Sequence, residues 1–169
     1  WSDGGGMGLQ HPKDQDKEWA VVSQDGSTIH TCWTQFDSYD SLLEEDSTTI
    51  LCSFSDRKGE EWSTPVRVSE KAGNCLDSDE TTEGAVPAIG HDGTIYVAWA
   101  LNETIWFDRS EDGGKTWLEK DIPATSIVGG WDQNVEAIGR VNGMPVTCVD
   151  HCPSSENYGR IYINWTDAR

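Results

Sequence analysis

The segment Asp77-Ser-Asp-Glu-Thr-Thr-Glu83 places four carboxylates within seven residues. Carboxylate oxygens are hard ligands of the kind that calcium prefers. The segment has neither the spacing nor the glycine of an EF-hand, so an acidic, solvated loop is the alternative interpretation. We predict that the protein requires no cofactor, and that calcium is the candidate ion. Its ligands would be Asp77, Asp79, Glu80 and Glu83.

Five cysteines offer a second kind of chemistry. Cys32 and Cys52 fall on strands that we expect to lie side by side, so a cross-strand disulfide is possible. Cys148 and Cys152 could close a small loop. Together with His151 they match no common zinc pattern in spacing or ligand number. The odd count leaves at least one thiol unpaired, and free, buried thiols are the alternative for all five.

The charge balance excludes several kinds of partner. The chain has 12 basic and 30 acidic residues, a net charge of −18 and a pI near 4.3. Such a field repels nucleic acid and anionic membrane surfaces. No apolar run is long enough to span a bilayer. We therefore expect no nucleic-acid partner and no membrane insertion, and the composition is typical of an extracellular or salty setting.

A repeat positions these groups. Trp33, Trp99 and Trp165 are 66 residues apart, and each ends a strand that begins with an isoleucine four residues earlier. A short apolar strand and an Asp-Gly or equivalent turn precede each of these strands, which is a hairpin signal. Apolar side chains on both faces predict sheets covered on both sides. The pattern predicts an all-β fold of repeated four-stranded antiparallel units, as in a β-propeller.

The repeat divides the chain into four segments. We predict an N-terminal extension over 1–15, one unit over 16–69, a second over 70–122, and a linker with the first half of a further unit over 123–169. The predicted third strands cover 48–55 and 105–110, and the predicted fourth strands cover 63–69 and 116–122. Long polar loops are predicted over 37–47, 70–84 and 124–144.

One motif recurs between the third and fourth strands. Ser110-Glu-Asp-Gly-Gly-Lys-Thr-Trp117 matches Ser-x-Asp-x-Gly-x-Thr-Trp, the Asp-box, at every defined position. We expect Asp112 to accept backbone N–H groups inside the turn, Gly114 to supply a positive φ, and Trp117 to anchor the turn, while Ser110 and Thr116 complete the motif. The first unit has a degenerate copy, in which the aspartate stands one place early. Its matching residues are Ser55, Gly59 and Trp62.

These turns and the Gly-x-Ile-Tyr-x-x-Trp strands resemble the sialidase-like BNR/Asp-box β-propeller family, from about residue 16 to residue 169. The resemblance implies four-stranded antiparallel blades, with the Asp-boxes as structural turns on the face opposite the ligand site. Two and a half blades are present, so we expect the remaining blades to come from a longer chain or from self-association.

The resemblance also implies sialidase activity. Family members hold a substrate carboxylate with three arginines, use a Tyr assisted by Glu as nucleophile, and use an Asp as acid/base. This sequence lacks the Phe/Tyr-Arg-Ile-Pro motif that supplies the first arginine, and Tyr158-Gly-Arg-Ile161 is a superficial echo of it. No catalytic residue is therefore carried over.

The ligand face of a propeller consists of the loops that enter the first strand and those that join the second and third. Carboxylates dominate these loops, which suits a neutral glycan or a cation better than a sugar acid. The candidates are Asp16, Lys17, Trp19, Asp40, Glu83, Trp131, Glu136, Asp167 and Arg169. We expect an extracellular or cell-surface protein that acts on or binds carbohydrate. It is either an exo-glycoside hydrolase or a non-catalytic glycan-binding, protein-binding or scaffold module.

Overall fold

A computed structural model describes residues 5–7 and 10–169. The described residues form twelve antiparallel strands and no helix, so the all-β prediction is confirmed. They therefore contain no helix that could cross a membrane. Part of the predicted N-terminal extension, residues 1–4, 8 and 9, lies outside the described residues, and the first strand begins at Asp14.

The first sheet has four strands in chain order. Its second and third strands are nearly fully buried, as their apolar residues on both faces predict. The fourth strand is only two residues long, shorter than predicted. The strands are β1 (Asp14–Val22), β2 (Ile29–Phe36), β3 (Thr48–Ser55) and β4 (Val66–Arg67).

The second sheet repeats the same order and direction. Its fourth strand begins at Ile122, so the prediction of a strand over 116–122 was wrong. The Asp-box turn and the residues after it occupy that segment, because their backbone N–H groups bond to aspartate side chains rather than to a neighbouring strand. The strands are β5 (Glu83–Ile89), β6 (Ile95–Leu101), β7 (Thr104–Ser110) and β8 (Ile122–Ser126).

Two hairpins complete the described chain. The pair β11 (Val146–Val149) and β12 (Ile161–Asn164) lies in the segment where the first half of a further unit was predicted. The pair β9 (Asp132–Val135) and β10 (Ile138–Asn142) lies in the segment 124–144, which was predicted to be a loop. Most of its side chains are exposed, so the segment has no apolar alternation that would reveal the strands.

The sheets pack side by side through their first strands. β5 lies against β1 and β2, and β11 lies against β5. One apolar cluster includes Trp99, Ile50 and the Cys32–Cys52 disulfide, and Trp117 packs against it. A second cluster surrounds the fully buried Trp131. These clusters fix the sheets relative to one another.

The two ends of the sheets differ in their connections. At one end, the turn end, the chain makes tight hairpin turns over 23–28, 56–62 and 111–117. At the other end, the loop end, lie the loop 37–47, the linker 68–82, the turn at 102–103 and the segment 127–131. The strand register places the two ends apart, because Glu83 pairs with Ala100 whereas Ile95, at the far end of β6, pairs with Ser110.

Candidate functional site

The exact Asp-box forms the predicted self-contained turn. Asp112 Oδ1 accepts from the backbone N–H groups of Lys115 and Thr116 at 3.0 and 2.9 Å, and Asp112 Oδ2 accepts from the Thr116 hydroxyl at 2.6 Å. Ser110 Oγ donates to Asp112 Oδ1 and accepts from the Gly114 N–H. These donors lower the pKa of Asp112. Gly114 has φ +86°, as expected for the turn.

The degenerate turn keeps part of this network. Ser55 Oγ accepts from the N–H groups of Arg57 and Gly59, and the Trp62 indole donates to the Gly59 carbonyl at 3.1 Å. Asp56 makes no side-chain hydrogen bond with the described residues. The missing aspartate bonds follow from its displaced position. Both turns lie at the turn end, away from the loop end.

Glu83 is the most unusual ionisable group at the loop end. Its side chain is fully buried at the start of β5. Thr34 Oγ1 donates to Glu83 Oε2 at 3.1 Å, while Glu83 Oε1 has no hydrogen-bond partner among the described residues. Burial raises the pKa of Glu83 to about 7, opposed by Lys17 and reinforced by Asp16 and Asp77. Near neutral pH this carboxyl is therefore divided between its protonated and ionised forms.

A bulge in β1 brings Asp16 and Lys17 toward Glu83. The register of the β1–β2 pair shifts between Asp16 and Trp19, and Lys17 has φ +54°. The Asp16 carboxylate accepts from the Lys17 backbone N–H at 2.8 Å and pairs with its ammonium at 3.1 Å. Bulges re-aim side chains, and this one directs both charges to the loop end.

A second polar group at the loop end centres on Asp77. Its Oδ2 accepts from the Tyr39 hydroxyl and from the Arg140 guanidinium, both at 2.7 Å. Asp77 Oδ1 is buried without a partner among the described residues. The hydrogen bond to Asp77 raises the pKa of Tyr39, because it stabilises the protonated phenol that donates it. Tyr39 stays about half exposed and is therefore accessible to a ligand.

Asp79 ties the loops of this end together. Its carboxylate accepts from the backbone N–H groups of Trp131 and Glu103, each at 2.9 Å. Glu80 instead accepts from the Asn74 side chain. The four acids proposed for calcium thus belong to separate networks, and the described residues contain no cluster of three or more metal-ligating side chains. Calcium binding stays a prediction.

The structure separates the remaining ligand-face candidates. Trp131 is fully buried and donates its indole N–H to the Thr81 carbonyl at 3.1 Å, so its ring lies in the core and not on the rim. Trp19 is 54% exposed on β1 and presents its ring to solvent. Asp40 and Glu136 are exposed. Asp167 pairs with Arg169 at 2.6 Å.

Sequence reasoning missed Tyr39 and Arg140. Tyr39 lies inside the predicted ligand-face loop 37–47, so its phenol could have been included beside Asp40. Arg140 lies on β10, which no alternation pattern reveals, and it meets Asp77 across 63 residues of sequence. Thr34 was also missed, because in the sequence it has the position of an ordinary buried strand residue.

The structure contains one disulfide and three free cysteines among the described residues. Cys32 and Cys52 face each other on β2 and β3 and are disulfide-bonded, which is one of the arrangements that the sequence left open. Cys75 is a buried free thiol, and Cys148 and Cys152 are exposed free thiols.

Comparison of the chain with known protein-family models and with curated proteins gave no match.

Proposed function

We propose that this chain is part of a sialidase-like β-propeller whose loop end binds carbohydrate. Two four-stranded antiparallel sheets packed through their first strands, with an Asp-box turn at the same end of each, support the propeller. The disulfide supports an extracellular or cell-surface location, because such bonds persist in oxidising compartments.

One observation carries the binding proposal, namely the convergence of polar side chains at the loop end. Around the buried Glu83 lie Asp16, Lys17 and Asp77, and Tyr39 presents a half-exposed aromatic ring beside them. Saccharide sites combine hydroxyl-binding polar groups with an aromatic surface for the sugar ring. The loop end offers both.

The charges favour a neutral saccharide over a sugar acid. A carboxylate ligand is held best by guanidinium groups that present free donors. Here Lys17 pairs with Asp16, Arg140 with Asp77, and Arg169 with Asp167. Each of these cations is already neutralised, and the net charge of −18 opposes an anionic ligand.

Glycoside hydrolysis is a second candidate, favoured by the Tyr39–Asp77 hydrogen bond. A tyrosine hydroxyl bonded to a carboxylate can lose its proton as it attacks a sugar carbon, with Asp77 as the base. This step also needs an acid to protonate the leaving oxygen. Fully buried Glu83 does not reach a substrate in this structure, so binding without turnover is the better-supported function.

A glycan-binding screen tests the proposal. We expect the chain to retain neutral glycans in preference to sialylated ones. Tyr39→Phe and Asp77→Asn should each weaken the strongest interaction about tenfold, since each removes a polar contact at the site. Arg109→Gln is the matched control, because Arg109 forms a similar exposed pair with Glu111 away from the loop end. Equal retention by all variants, or none by the wild type, contradicts the proposal.

Chromogenic glycosides separate the two candidates. If the chain is a hydrolase, Tyr39→Phe should abolish release of the chromophore, a loss far larger than the tenfold weakening of binding expected for the same variant. Glycan retention without any release by the wild type removes the hydrolase candidate and leaves the binding function. Calcium is tested in the same samples, since a bound ion predicts a lower melting temperature after chelation.

We also propose that further blades complete the ring, from additional sequence or from other copies of the chain. Within the described residues β12 pairs only with β11, so its outer edge offers unpaired backbone groups. Light scattering on the 169-residue chain should show a discrete oligomer if copies complete the ring. A monodisperse monomer contradicts self-association.

A further inference from the structure

A cleft of about 540 Å³ lies at the turn end, at the opposite end of the sheets from the site proposed above. Its volume is within the usual range of small-molecule sites. The first sheet contributes the turn between β1 and β2 and the end of β3. The second sheet contributes the turn between β5 and β6 and the Asp-box turn. The cleft is therefore a product of the packing of two sheets.

His30 lines the cleft and is only 5% exposed. Its ring contacts Phe54, with the centroids 6.0 Å apart, and its nitrogens bond to none of the described residues. Burial lowers the pKa of His30 to about 4, so the imidazole is neutral at pH 7. A neutral imidazole has one N–H donor and one acceptor nitrogen. The cleft thus contains a buried polar group with no internal use.

Three charged side chains at the cleft have hydrogen-bonding capacity that the fold does not use. The Ser23 and Ser27 side chains engage Asp25 Oδ1 and leave Oδ2 without a partner among the described residues. Asp56 and Lys115 form no ion pair with the described residues. Asp112 also lines the cleft, but the Asp-box turn uses both of its oxygens. The free groups include both donors and acceptors.

The composition of the lining selects a class of ligand. Carboxylates oppose an anion, and Lys115, together with the lack of three clustered ligands in the described residues, opposes a metal ion. Sugar hydroxyls donate and accept at once, and the C–H face of a sugar ring packs against apolar walls such as Phe54 and Ile95. We propose that the turn-end cleft is a second saccharide site, one that binds a single neutral sugar unit. The proposal does not rest on the function of the loop end.

The test is an NMR titration of the isotope-labelled chain. The probes are methyl glycosides of glucose, galactose, mannose and N-acetylglucosamine, added separately. We expect at least one of them to shift the amide signals of Phe54, Gly113 and Gly114 in a saturable manner. The amide signals of Lys17 and Glu83 report on the loop end in the same spectra. Shifts confined to the loop end, or no shifts with any of the four glycosides, overturn the proposal.

Surface variants separate the cleft from general effects of mutation. Asp56→Asn and Lys115→Ala change exposed side chains that the fold does not use, and each should weaken binding about tenfold. Lys120→Ala is the control, because this exposed lysine lies outside the cleft. Wild-type affinity in both cleft variants contradicts the proposal. Loss of binding in Asp77→Asn alone would assign the sugar to the loop end instead.

Discussion

Glu83 shows how one buried residue can couple the fold to pH. Its carboxyl is removed from water at the start of β5, with a single hydrogen bond from Thr34. Burial disfavours the charged form, and Lys17 compensates only in part. The result is a proton-binding group that titrates near neutral pH. Because Glu83 is fully buried, its role in the proposed site would be to position Lys17 and Asp16 and not to touch a ligand.

We predict that Glu83 makes the protein less stable as the pH rises. The pKa of Glu83 is raised from 4.5 to about 7, so between these values the native state holds a proton that the unfolded chain has released. Its contribution is complete below pH 4.5 and is lost as the pH rises through 7, which amounts to about 3 kcal/mol. Urea unfolding at pH 5 and pH 8 measures this change.

Two variants isolate this contribution. Glu83→Gln should make the free energy of unfolding less dependent on pH. From pH 5 to pH 8 the difference in stability between the two proteins should therefore change in favour of the variant. Glu119→Gln, an exposed change, should run parallel to the wild type. Parallel curves for Glu83→Gln and the wild type would show that the carboxyl does not titrate in this range.

At the scale of elements, the two Asp-box turns form a natural comparison. In the second turn one carboxylate organises backbone and hydroxyl donors, whereas in the first turn Asp56 makes no such bond. The position of the aspartate in the motif thus determines whether its carboxylate forms these hydrogen bonds.

Asp112→Ala should lower the free energy of unfolding by about 2 kcal/mol, because several hydrogen bonds to a charged acceptor are lost. Asp56→Ala, the matched change in the degenerate turn, should leave it nearly unchanged. Chemical denaturation of both variants at pH 7 gives the comparison. A similar loss in the two turns would mean that the carboxylate contributes little to turn stability.

The Cys32–Cys52 disulfide joins β2 and β3 across 20 residues. A closed loop of this length restricts the unfolded chain by about 3 kcal/mol. We predict that the Cys32→Val, Cys52→Val double variant loses stability of this order. Replacing the exposed Cys148 and Cys152 by serine should have little effect. Equal stability of the two double variants would contradict the assigned bond.

Sequence patterns predicted the parts of the fold that depend on residues close together in the sequence. The repeated strands that begin with isoleucine and the Asp-box turn follow from short-range spacing, and the structure contains both, whereas spacing left the Cys32–Cys52 pairing open. β9 and β10 escaped prediction because their side chains are mostly exposed, so packing does not impose an apolar period. β8 was misplaced because the aspartate-bonded turn extends further than the motif.

The residues of the proposed loop-end site could also be predicted in part. Asp16, Lys17 and Glu83 could be placed at one end from strand direction alone. The contact of Arg140 with Asp77 and the burial of Trp131 arise from folding of distant segments, which no local pattern encodes.

At the scale of the whole molecule, the sheets have one end rich in loops and another made of tight turns. The loop end holds paired charges around a buried carboxyl, and the turn end holds a cleft with unused polar groups. Packing of the sheets through their first strands creates both the loop-end group of charges and the turn-end cleft. Neither sheet alone contains all the residues of either feature. The architecture therefore separates the two proposed saccharide sites at opposite ends of the sheets.

The most direct test of the central claim is the dissociation constant of the best-retained neutral glycan, measured from pH 5 to pH 8. Protonation of Glu83 removes its attraction for the Lys17 ammonium. Asp16 and Asp77 then remain as the charged carboxylates near Lys17. We predict tighter binding below a midpoint near pH 7 for the wild type, and a flat profile for Glu83→Gln. A pH-independent constant in both proteins, or the same profile in both, would contradict a carbohydrate site organised around Glu83.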